Sequence, residues 1–115
     1  MLDLRGKTVA QVHDEIRDIL KAEGLMDESF NVSVLWRYDH ARGPEGTPWP
    51  TDYRWVACFP VTGTSEAHYV HCELLYPRPL PLNSDTRVPI FLAKTFRGWD
   101  HAWELAKRLG ELLGS

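Results

Sequence analysis

The chain has little cysteine, no long apolar run and no large excess of either charge, and each shortage removes a class of function. Two cysteines cannot build a disulfide framework. They read as reduced, packed thiols, which places the protein in the cytoplasm. No apolar stretch approaches the roughly 20 residues that span a membrane, and no charged-then-apolar start suggests a signal peptide. The formal net charge is −3, which argues against a phosphate-binding surface and is too small for an acidic mimic of nucleic acid. Neither a membrane nor a nucleic-acid partner is expected. Gly43, Gly46 and Gly63 do not form a phosphate-cradling loop, and no serine lies in a nucleophile elbow. Neither cysteine opens a helix or adjoins an evident base, so neither has a reason for activation. No catalytic residue and no cofactor are expected.

What is present is an ordinary globular composition, 43% hydrophobic and 25% charged over 115 residues. That length suits a single domain, residues 1–115, and leaves no room for a second core. The most informative stretch is Tyr53 to Tyr76, YRWVACFPVTGTSEAHYVHCELLY. It reads as a hairpin turning at Gly63-Thr64, because glycine first in a two-residue loop suits the twist of antiparallel strands. This register pairs Thr62 with Ser65, Phe59 with His68, Ala57 with Val70, Trp55 with Cys72 and Tyr53 with Leu74. All of these except Thr62 and Ser65 share the face expected to be the core. The other face holds Cys58 opposite Tyr69, Val56 opposite His71 and Arg54 opposite Glu73, the last a complementary charge pair.

Elsewhere the patterns are shorter. Thr8 and Gln11 fit a capping box, and Val9, Val12, Ile16, Ile19 and Leu20 repeat at helical spacing up to Gly24. Phe30 to Asp39 alternates as a strand, with Phe30, Val32, Val34 and Trp36 on one face and Ser33, Leu35 and Arg37 on the other. The loop from His40 to Thr51 carries three prolines, and Trp49 within it either folds back over the core edge or anchors a partner. Pro77 to Pro81 reads as a stiff connector. Arg87 to Ala93 reads as a fourth strand, which Pro89 assigns to a sheet edge. A second helix runs from Gly98–Asp100 to about Leu113, with Trp99, Ala102, Trp103, Ala106, Leu109 and Leu113 as its apolar stripe.

The expected fold is therefore α+β, with element order α-β-β-β-β-α. It is a two-layer sandwich in which a four-stranded antiparallel meander carries both helices on one face. The order is similar to that of double-stranded-RNA-binding domains. The start of the second helix, Gly98-Trp99-Asp100-His101, lacks the cations that such domains set against phosphates.

Two readings of function follow. A metal is not expected: His68 and His71 face opposite ways on a strand, and His68 and Cys72 are about 13 Å apart at strand rise. The predicted register also separates Cys58 from Cys72 and so excludes a disulfide. The favoured reading is a non-enzymatic binding or regulatory protein, of the inhibitor, immunity or phage-accessory kind. It would act through the open sheet face and the 40–51 loop, on a protein partner or on itself as a homodimer. The candidate contact residues are Leu35, Arg37, Trp49, Arg54, Val56, Tyr69, His71 and Glu73. The alternative is a small enzyme or ligand-binding protein that uses Arg37, Arg54, His71 and Glu73 for acid–base chemistry.

Overall fold

A computed structural model describes residues 2–26, 32–36, 46–62, 67–79 and 89–114, with 32–36 described as backbone. Thr8 starts the first helix as predicted: its side chain accepts from the Gln11 amide, and the Gln11 side chain accepts from the Thr8 amide. Helix α1 then runs Val9–Ala22 and buries Val9, Val12, Ile16 and Leu20. It stops where Gly24 takes the left-handed backbone, φ 71°, which a side chain disfavours, and the Leu25 amide closes back on the Leu20 carbonyl at 2.9 Å.

The strands are β1 (Val32–Trp36), β2 (Trp55–Thr62), β3 (His68–Leu75) and β4 (Pro89–Thr95), followed by α2 (Trp99–Leu113). All pairings are antiparallel, and the sheet order is β1-β4-β3-β2. The protein is thus α+β, but the sheet is not the expected meander. β1 pairs with β4, and β2 becomes an edge strand opposite β1. Pro89 sits inside the sheet and not at its edge. It is tolerated because it is the first residue of β4 and faces only Trp36 of β1, while the β3 ladder starts one residue later at Ile90.

The hairpin register also differs from the expected one. Thr62 pairs with His68, so the partners of β2 are displaced by three positions from a Gly63-Thr64 turn. That turn itself lies outside the described residues. An odd displacement turns β2 over. Val56, Cys58 and Pro60 now stand opposite Leu74, Cys72 and Val70, and Trp55, Ala57, Phe59 and Val61 point the other way. The physical gain is burial. Val56, Val70, Cys72, Leu74, Phe91 and Ala93 join Val12, Ile16, Leu20, Leu105, Leu109 and Leu113 in one cluster that both helices share.

α2 is turned relative to its predicted stripe. Ala102, Leu105, Ala106, Leu109, Leu112 and Leu113 are buried, whereas Trp99 and Trp103 are exposed. Leu105 and Leu112 extend the stripe at helical spacing, and the two indoles lie beside it. Thr95, fully buried at the end of β4, fixes the start of this helix. Its hydroxyl shares a 2.7 Å hydrogen bond with His101 Nδ1 and accepts from the Arg97 amide. At the far end Arg108 pairs with Glu23 at 2.7 Å, joining the ends of the two helices.

Trp49 belongs to the core, with 3% of its surface exposed. Its amide donates to the Lys7 carbonyl at 2.9 Å, while the Val9 amide donates to Thr47 at 2.8 Å. Its indole Nε1 donates to Tyr53 Oη, which in turn donates to the Leu113 carbonyl. This segment therefore ties the start of α1 to the end of α2, and Trp49 has no surface left to offer a partner.

Candidate interaction surface

β2 contributes alternate side chains to the sheet face turned away from the buried cluster. Trp55 is 45% exposed, Phe59 39% and Val61 38%. Three apolar side chains this open on one edge strand are more than a solvated antiparallel face carries. Next to them β3 places Tyr69, His71, Glu73 and Leu75, and β4 places Leu92 and Lys94, all partly covered.

The polar groups on this face are held by its aromatics. His71 is paired with Phe59 across the strands, and their rings stack at 5.3 Å with 19° between planes. The other side of the imidazole is fixed by a 2.9 Å contact from Nε2 to Glu73 Oε1. Lys94 Nζ lies 5.6 Å from the centre of the Tyr69 ring and 4.9 Å from that of Phe96. Arg54 lies 4.5 Å over Trp55. Such contacts are worth about 0.5–1 kcal/mol each when exposed. Their larger effect is to hold long side chains against the rings.

The predicted contact residues divide accordingly. Tyr69, His71 and Glu73 are on this face, and Arg54 borders it. Leu35 stands opposite Ile90 in the ladder. Arg37 lies outside the described residues. Val56 is a correction: it is 3% exposed and faces the helices, because the register turned β2 over. Glu73 pairs with Ala57 and not with Arg54. Sequence reasoning missed Trp55, Phe59 and Val61. The strand WVACFPVT is apolar on both faces, so alternation alone could not choose between them.

The register also overturns the separation of the cysteines. Cys58 and Cys72 are directly opposed, and both are free thiols. Burial pushes the Cys72 thiol well up from the ordinary value, and a hydrogen bond with Cys58 adds to this. Directly opposed residues have Cα atoms about 4.5–5.5 Å apart, inside the range that a disulfide spans. Mild oxidation with diamide should therefore join the two, with a loss of about 2 Da by intact mass and no change in oligomer mass. Two free thiols after that treatment would contradict the pairing. Among the described residues no three histidine, cysteine, aspartate or glutamate side chains gather to hold a metal ion.

Two hollows lie off this face. One, of about 860 Å³, runs between β2 and α2 and is walled by Val56, Cys58, Trp103 and Glu104. The other, of about 510 Å³, is bounded by Leu4, Arg5, Tyr53 and Arg54 near the chain ends. Neither is lined by His71 or Glu73. No family model, curated protein or solved structure matches the chain.

Proposed function

We propose that this is a non-enzymatic binding protein of the cytoplasm that docks another protein surface on its outer sheet face. The simplest partner is a second copy of the chain. The observation that carries the reading is the exposure of Trp55, Phe59 and Val61 in one row, with Tyr69, His71 and Leu75 beside them. Aromatic residues in a flat apolar patch rimmed by charge are the usual anchors of an interface. Arg54, Glu73 and Lys94 supply that rim.

Phe59 is the residue to change, because its ring is exposed and stacked only on His71 among the described rings. Phe59→Glu should leave the denaturant midpoint close to that of the wild type. It should weaken self-association or partner retention by about thirtyfold or more, the loss of a typical anchor. Sedimentation equilibrium across concentration reads this directly. A wild type that stays monomeric throughout, with partner binding indifferent to Phe59→Glu, would end the proposal.

A second reading rests on the 2.9 Å contact between His71 and Glu73, a pairing that acid–base chemistry uses. It would require that His71→Ala abolish a turnover which Phe59→Glu spares.

A further inference from the structure

A second surface lies at the side of the sheet. The strand order ends on β2, and no described residue pairs with its outer edge. Pro60 shows which backbone groups point there. Proline has no N–H and is accepted in a strand where that group would face away from the neighbouring ladder. Pro60 stands opposite Val70, so its missing donor faces outward. By alternation the amides and carbonyls of Val56 and Cys58 face outward as well. An added strand would meet them at a repeat of about 6.6–6.8 Å.

The hollow of about 860 Å³ flanks this edge, between β2 and α2. Trp103, 52% exposed, stands in its wall above Val56 and Cys58. Asp100, Glu104 and Glu111 line it against a single cation, Lys107. Glu111 contacts Arg108 at 3.1 Å, a cation it shares with Glu23. Asp100 and Glu104 are one helical turn apart, about 6 Å along the axis.

We propose that the edge of β2 and this groove take an extended, basic segment of a partner protein as a fifth strand. Main-chain hydrogen bonds to Val56 and Cys58 hold the segment. Its inward side chains alternate between an apolar group against Trp103 and a lysine or arginine beside Asp100 and Glu104. A second copy of the chain is a poorer occupant, because pairing two β2 edges would bring two acid-lined grooves together. This surface is separate from the outer face and does not depend on it.

The test is selection from phage-displayed random twelve-residue peptides on the immobilised full chain, followed by fluorescence anisotropy with the synthesised winners. Winners should carry lysine or arginine two residues from an apolar side chain. Glu104→Lys and Trp103→Ala should each weaken them at least tenfold while keeping the wild-type circular dichroism. Lys107→Glu should tighten them severalfold, which keeps the test decisive if another variant fails to fold. N-methylation of the amides along one edge of the peptide should cost at least tenfold, and along the other edge little. Phe59→Glu should leave this binding unchanged. The proposal is overturned by the absence of winners, by winners without basic residues, or by indifference to Glu104→Lys and Lys107→Glu. A dimer of the chain that Glu104→Lys or Trp103→Ala dissociates would overturn it too, by assigning the groove to a second copy.

Discussion

Trp49→Ala is expected to cost about 3–5 kcal/mol, the range for truncating a large buried aromatic. The indole is 3% exposed and belongs to the same cluster as Val12, Ile16 and Leu109. Its removal also takes the donor from Tyr53 Oη, the link that reaches the Leu113 carbonyl. Both ends of the helical layer should therefore loosen together. Urea unfolding of the purified variant measures the loss. A change below ~1 kcal/mol would return Trp49 to the surface and reopen its reading as a partner anchor.

Val56→Glu should be nearly as damaging, at about 4 kcal/mol near neutral pH. Burial of this depth raises a carboxyl pKa by about three, and each unit is worth about 1.36 kcal/mol. The sign of the pH dependence follows. In the unfolded chain the new carboxyl ionises near ~4.3, and in the fold it ionises higher. The ionisation part of the penalty is therefore small below pH ~4 and grows as pH rises, reaching its full size above the folded value, on top of the pH-independent cost of a larger polar side chain in the core. Denaturant midpoints at pH 4 and pH 8 should diverge from the wild type accordingly. Phe59→Glu, on the opposite face, should show no such divergence. Equal behaviour of the two variants would mean that β2 is facing the other way.

Neither of these two positions was readable from local pattern, whereas the helix start was. Thr8 with Gln11 and the run Val12, Ile16, Leu20 announced α1, because capping and helical spacing are local properties. The inward side of β3, with Val70, Cys72 and Leu74, was legible for the same reason. β2 was not: Trp55, Phe59 and Val61 compete with Val56, Cys58 and Pro60 for the core, and only the pairing with β3 decides. Gly63-Thr64 offered a turn that put the tryptophan inside, whereas the observed register buries Val56 opposite Leu74 and Pro60 opposite Val70. Trp103 misled in a similar way, since a large apolar side chain beside a stripe looks like part of it. The candidate surface inherited these errors. Tyr69, His71 and Glu73 were found from β3, and the exposed row on β2 was lost with its register.

The pairing of β1 with β4 has a consequence for how the chain reaches this structure. The β2–β3 hairpin closes over a short loop and can form early, but Val32 must wait for Ala93 and Trp36 for Pro89. Closing so long a stretch costs entropy before any contact repays it, and strand pairings of this range fold slowly. During synthesis β1 leaves the ribosome well ahead of β4, its neighbour among the described strands. It stays an unpaired strand until β4 arrives, and β4 needs the hairpin in place to receive its other edge. Assembly of the sheet therefore finishes at its middle, with the last strand made sealing the first.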